Sequence, residues 1–265
     1  AGGLDVAAAM TVSNDFAPLR HCWLQADTEV IRQLSTAPRP GVLTVYKLYN
    51  EGLILRTPEV CLGIDLYLNR AVTKAQVQEL ASRLDGLLIT HDHTDHRTPA
   101  LEACLRQLNK PINHAMLGSN QPPGVRIESG TVRGASWTSY GGQHRSKVFS
   151  GFYVLKIGSW RILHSGDNIV WNETFLRSAD ARDIDIAFIK LETPEVVGRI
   201  KPRILAPHHL LELGHGLRAY GHDELGIRHR QAGNNAPAVL MLQWGDHYEV
   251  APFKQPAKGS SPAQR

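Results

Sequence analysis

Cysteine is scarce in this chain: Cys22, Cys61 and Cys104 are the only three in 265 residues, far apart and odd in number. That pattern supports neither a disulfide framework nor a CxxC zinc site, and all three read as small buried hydrophobes. Long apolar runs are missing too, since none approaches the roughly 20 residues a membrane span needs. The opening AGGLDVAAAM has neither a basic n-region nor a leucine-rich core, so it does not read as an intact signal peptide, and the compartment stays open. The formal charge is +4, yet lysine and arginine are spread without a run of five or six like charges. With no basic stretch and no reading motif, nucleic acid is not an expected partner; a small-molecule substrate is. No internal repeat is visible, and low complexity is confined to KQPAKGSSPAQR at 254–265, expected to be a flexible tail.

What is present is the composition of an ordinary globular protein long enough to bury a sizeable core. Strand-like runs recur in GVLTVYKLY, EGLILRT, VCLGIDLYL, GLLIT, GFYVLKIG, WRILHSG, DIAFIKL, RILAPHH, VLMLQWG and HYEVAPF, short, rich in β-branched or aromatic residues and bounded by Gly, Asn, Asp or Pro. Helical patterns lie at TKAQVQELASRL, where Thr73 caps, and at TPALEACLRQLNK, where Thr98 caps and Pro99 takes the first helical position; DELGIRHRQAG is a third. Grouped strands with helices between them predict a mixed α/β domain with large sheets. The expected organisation is an extension over residues 1–40, one domain over 41–253 and the tail over 254–265.

Histidine is the excess, with 13 in the chain, and it concentrates in LLITHDHTDHRTP, Leu87 to Pro99. LLIT predicts a buried strand that leaves the sheet through HDHTDH before the helix at Thr98. Along an extended segment residues two apart point the same way, so His91, His93 and Asp95 face one pocket while His96 turns to a neighbouring position. Imidazole nitrogen and carboxylate oxygen are the ligands of catalytic zinc, whereas a structural zinc would recruit cysteines. A solvated polar loop is the bland alternative; it suits one histidine far better than this whole string.

THDHTDH resembles the HxHxDH signature of the metallo-β-lactamase-fold hydrolases. The resemblance implies an αββα four-layer sandwich, two mixed sheets flanked by helices, and three more ligands later in the chain. SYGGQHRSKVFSGFYVL offers His144, favoured over His114 in KPINHAML because a polar turn followed by a strand is the expected context. WRILHSGDN offers Asp167, and RILAPHHLLELGH offers His208 or His209, the Pro-x-His spacing from Pro207 selecting His209. His164 is implied as a group beside the ligands. So is Asp65 in LGIDLYL, which would orient the ligand loop; an ordinary turn aspartate is its rival reading. His215, His222 and His229 read as outer-loop histidines.

By the same resemblance, His91, His93 and His144 would hold one metal, Asp95, His96 and His209 the other, and Asp167 would bridge them. Two such ions sit about 3.5–4 Å apart and lower the pKa of water to near 7. Zn²⁺, two per chain, is the expected cofactor, with Mn²⁺ or Fe²⁺ as alternatives, and Asp95 would help orient the attacking water. The true β-lactamases place a cysteine where Asp167 stands, which disfavours lactams. GGQHRSKVFSGFYVLKIGSWRILHSGDN is similar to the His…GF…I…H-[AS]-G-D-[TN] pattern of the branch that includes L-ascorbate-6-phosphate lactonase, and LAPHH and LQWGDHYEV fit its closing elements. The resemblance covers about residues 42–250 and implies hydrolysis of a small ester, lactone or phosphorylated substrate. Arg145, Lys147 and Lys190 are the nearby basic candidates for meeting a phosphate, with a solvated surface position as the favoured rival reading of each. Trp137, Tyr140 and Trp171 are candidates for a cleft, with core packing as the rival reading. A phosphodiesterase or nuclease and an iron redox enzyme of the same fold are the alternatives; diiron members usually exchange the second histidine of the motif for glutamate, and here it is His93. Residues 1–40 and the histidine-rich stretch 210–237 match no part of the pattern, and the oligomeric state stays open.

Overall fold

Strand alternation along this chain runs apolar on both faces, which is the pattern of sheets covered on both sides. The computed structural model describes residues 17–115, 122–145, 148–190, 194–208, 237–242 and 244–253. Sheet one takes β1 (Leu43–Lys47), β2 (Leu53–Arg56), β3 (Cys61–Ile64), β4 (Gly86–Ile89), β5 (Ile112–His114) and β13 (His247–Val250), in the order β13-β1-β2-β3-β4-β5. Sheet two takes β6 (Arg126–Val132), β7 (Ala135–Arg145), β8 (Val148–Ile157), β9 (Trp160–His164), β10 (Ile186–Lys190), β11 (Ile204–His208) and β12 (Ala238–Val239), in the order β12-β11-β10-β9-β8-β7-β6. Both sheets are mixed: β1, β2 and β3 pair antiparallel and β3, β4 and β5 parallel, while β6 to β9 pair antiparallel and β9 to β12 parallel.

Period two then sorts the side chains into three layers of core. Leu43, Val45, Leu53, Leu55, Leu62 and Leu88 of sheet one meet Tyr153, Leu155, Ile162, Ile186 and Phe188 of sheet two in a central cluster. Tyr46, Ile54, Leu87 and Ile89 point the other way, against helices α1 (Ala17–Gln33), α2 (Lys74–Arg83) and α3 (Pro99–Gln107). Phe152, Val154, Leu163, Ala187 and Ile189 cover the outer face of sheet two, under α4 (Glu173–Arg177) and α5 (Pro194–Ile200). The result is helices, sheet, sheet, helices, as expected.

Local expectations fare unevenly. Thr73 caps α2 in a full capping box with Gln76. Thr98 stands at the cap of α3 but makes no cap hydrogen bond, because its hydroxyl donates to Leu66 O at 2.9 Å and accepts from Leu68 N–H at 2.8 Å; it ties the chain after β3 to the helix start. Strands β6 and β7 do not show in the apolar pattern, since β6 lies largely exposed on the sheet edge and β7 is rich in Ser, Thr and Gly. Of the three cysteines only Cys61 is buried; Cys22 is exposed and Cys104 intermediate. Helix α1 belongs to the packed structure: Val30, Ile31 and Leu34 are buried in the outer cluster of sheet one, and Trp23 stacks on Tyr49 with ring centroids 4.4 Å apart. The 223–233 helical pattern and the tail 254–265 lie outside the described residues.

Candidate metal centre

The strand ends of both sheets meet at one edge, and there the polar residues gather. β4 ends at Ile89, and Thr90 then anchors the ligand loop: its N–H donates to Asp65 Oδ1 at 2.8 Å and its hydroxyl to Asp65 Oδ2 at 2.7 Å. Asp65 reaches this place because the chain leaves β3 through a left-handed turn, φ 47°, a conformation aspartate tolerates better than most residues. His96 Nδ1 lies 3.0 Å from the same Asp65 Oδ2. The loop is not extended throughout: Thr94–His96 forms a 3₁₀ turn that ends the period-two alternation. His96 therefore swings back beside His91, ring centroids 4.1 Å apart, instead of turning away from it.

This network assigns tautomers. The Thr90 hydroxyl hydrogen goes to Asp65, so its oxygen accepts from His91 Nδ1 at 3.2 Å, and His96 Nδ1 donates to Asp65. His91 is left with its lone pair on Nε2, and His96 turns its own Nε2 to the same side. Those two Nε2 atoms are buried without a hydrogen-bond partner among the described residues, and both face Asp167: His96 Nε2 is 3.5 Å from Oδ1 and His91 Nε2 is 4.0 Å from Oδ2.

Asp167 follows β9 in the turn Gly166-Asp167-Asn168. Gly166 has φ 50° and packs so closely on Thr90 that a Cβ would stand 2.7 Å from its side chain. Asn168 Oδ1 accepts from Gln143 N–H at 2.8 Å and pins the turn to the end of β7. His144 lies in β7 itself, not in a turn before β8, and its Nδ1 is 3.1 Å from Asp167 Oδ2. One carboxylate oxygen thus faces His91 and His144, the other His96. His93, half-buried, stacks edgewise against His91 and His144 at centroid distances of 4.4 and 5.4 Å. Asp95 Oδ2 is 3.9 Å from His96 Nε2 and accepts from Asn50 Nδ2 at 2.9 Å.

The charges show what the cluster wants. Burial opposes protonation of His96, but Asp65, Asp167 and Asp95 outweigh it and hold its pKa well above the usual histidine range. Burial, with His96 beside it, pushes His91 well below that range against the pull of Asp167. Burial and the neighbouring Asp167 raise Glu51 well above an ordinary carboxyl. Buried carboxylates crowded against inward-facing imidazole nitrogens call for a cation. His91, His93 and Asp167 offer ligand atoms within 4.8 Å of one another, as do Glu51, His96 and Asp167. This donor set of imidazole and carboxylate suits zinc, iron or manganese.

Seven of the residues expected around this site are thus brought together: His91, His93, Asp95, His96, His144, Asp167 and Asp65. His164 is buried beside them, and His208 ends β11 with Nδ1 3.8 Å from Glu51 Oε2. His209, the outer-loop histidines 215, 222 and 229, and the side chains of Arg145 and Lys147 lie outside those described. His114 instead pairs with Glu102 at 3.4 Å. Trp137 and Tyr140 are core residues, Trp171 packs partly buried against Phe152, and Lys190 is buried. Sequence reasoning missed Glu51 and Asn50, since a polar pair in a hairpin turn ordinarily faces water. It also missed the buried Glu102, which grips Arg97 through paired contacts of 2.8 and 3.0 Å and so braces the loop on α3.

No family model and no curated protein matches the chain. Solved structures do. Igni18, a novel metallo hydrolase from the archaeon Ignicoccus hospitalis, is similar with a TM-score of 0.59 and 14% identity, over 80% of this chain and 100% of that one. The metallo-β-lactamase-fold protein YhfI from Bacillus subtilis gives 0.56 and 15%, over 79% and 100%. CmlA, a diiron β-hydroxylase from Streptomyces venezuelae, gives 0.54 and 14%, over 81% of this chain and 54% of that one. At such identities the likeness is one of fold, and the fold of this chain is that of the metallo-β-lactamases.

Proposed function

We propose that this protein is a binuclear metal-dependent hydrolase, with zinc as its expected metal, acting on a small ester, lactone or phosphorylated substrate. The observation that carries the reading is the placement of Asp167, whose two oxygens face two different sets of histidines across one buried carboxylate. His91, His93 and His144 form the nitrogen-rich set. Asp95 and His96 form the other, completed by a histidine from the end of β11: spacing favours His209, and His208 brings its Nδ1 within 3.8 Å of Glu51 Oε2. Divalent ions held there supply Lewis acidity and lower the pKa of water to near 7, so hydrolysis needs no strong protein base. Asp65 and Thr90 keep Nε2 of His91 and His96 turned inward, and Asp95, steadied by Asn50, is placed to orient a water for attack.

Elemental analysis of the purified protein beside His93→Ala tests this. About two zinc ions per chain falling to one or fewer supports the hydrolase and leads to a panel of small lactones, esters and phosphodiesters; no metal after reconstitution overturns it. A second reading, iron redox chemistry, is favoured by the carboxylates gathered at Glu51, Asp95 and Asp167 and by the likeness to a diiron enzyme. Iron in the same analysis, with visible absorption, would select it.

A further inference from the structure

Glu51 belongs to neither of the two ligand sets expected from the sequence, yet it is completely buried and neither of its carboxylate oxygens has a hydrogen-bond partner among the described residues. Burying a carboxylate is costly unless something cationic meets it, so the question is what Glu51 is there to meet. It lies in two clusters whose ligand atoms are within 4.8 Å of one another, one with His96 and Asp167, the other with His164 and His208.

Hydrogen bonding separates the two. His164 Nδ1 accepts from Gly166 N–H at 3.2 Å, and Nε2 lies 3.2 Å from the main-chain oxygen of Glu51, so both ring nitrogens are engaged by backbone. That ring holds residue 51 in place and is not available as a ligand. His208 differs. Its Nε2 is 3.0 Å from Ser165 Oγ, whose own hydrogen goes to Gly166 O, so Nε2 carries a hydrogen and the lone pair sits on Nδ1, 3.8 Å from Glu51 Oε2. Atoms bound at about 2.0–2.1 Å to one ion stand about 3–4 Å apart.

The turn is also built to aim the side chain. Asn50 takes φ 54°, its carbonyl accepts from the buried Lys47 ammonium, its amide donates to Asp95, and Gly52 N–H closes the turn on Tyr49 O at 2.9 Å. Resting on the metal-centre reading, we infer that Glu51 is itself a ligand to the second ion, on the side of His96, Asp95 and Asp167, with His208 across from it. That ion then has three carboxylates around it. Oxygen-rich surroundings favour manganese or iron more than the histidine-rich position does.

Calorimetric titration of full-length metal-free protein with Zn²⁺ and with Mn²⁺ tests this in the wild type, Glu51→Gln and Glu51→Asp, beside the melting temperature of each metal-free protein. In Glu51→Gln one equivalent is expected to bind as in the wild type and the second at least about tenfold more weakly, with the larger loss for Mn²⁺. Glu51→Asp should restore part of it. The metal-free melting temperature of Glu51→Gln should not fall, because the amide matches the buried carboxyl in shape and gives up no hydrogen bond among the described residues. Two ions binding to Glu51→Gln with wild-type affinity overturn the assignment, and so does a lowered metal-free melting temperature with both equivalents intact. A wild type that takes no metal fails at an earlier point, the metal centre itself.

Discussion

His96 Nδ1 and Asp65 Oδ2 lie 3.0 Å apart, both fully buried. Asp65 is thus the floor of the site, holding the His96 ring in one orientation while it also takes both hydrogen bonds from Thr90. Asp65→Asn keeps the shape but turns one acceptor into a donor facing that network. It should weaken metal binding by about 10–100-fold and lower turnover with it, measured as zinc retained after dialysis against a chelator. Full retention would remove Asp65 from the ligand support.

Asp167→Asn tests the bridge. With one oxygen toward His91 and His144 and the other toward His96, its loss should lower metal content and hydrolysis together. A variant keeping two ions and full turnover would contradict a bridging role.

The histidines at the end of β11 are told apart by comparing His208→Ala with His209→Ala for metal content. The ring of His208 faces Glu51, so His208→Ala should lose about one ion per chain. If only His209→Ala does so, the Pro-x-His spacing is the better guide.

Asp27 of α1 is buried and accepts from Asn69 N–H at 2.7 Å. Burial outweighs that bond and pushes its carboxyl up from 3.8 to about 7. Between pH 4 and 7 the folded protein keeps a proton that the unfolded chain has released, so this group's contribution to stability falls as pH rises through that window and is level above it. Asp27→Asn should flatten the slope, stabilising at pH 8 by up to about 4 kcal/mol relative to wild type and not at pH 4. Chemical denaturation at the two pH values measures it; parallel curves would place the titration elsewhere.

At Gly142 a Cβ would stand 2.6 Å from both Asn168 Oδ1 and Ser150 O. Gly142→Ala should therefore cost about 1–3 kcal/mol and displace the Asp167 turn, seen as a lower melting temperature together with weaker metal binding. Stability loss with unchanged metal affinity would show that the turn tolerates the shift.

Much of this was legible in the linear chain. The apolar runs from Leu43 to Ile64 carry their own pleat, Thr73 and Gln76 carry a helix start, and six positions from His91 to His96 hold five metal-capable groups that no soluble loop requires. Those features depend on neighbours in sequence, so sequence determines them. Contacts between distant segments decided the rest. Whether Glu51 met water or a cluster of histidines depended on where the β1–β2 hairpin landed relative to β9 and β11, 113 residues away at His164. The direction of His96 depended on a single 3₁₀ turn braced by Asp65, and the hidden strands formed because β8 offered β7 a ladder and β7 in turn offered one to β6. A side chain's type limits its chemistry, but its pKa, tautomer and partners follow from burial and from groups brought near it by folding, and only the tertiary structure supplies those.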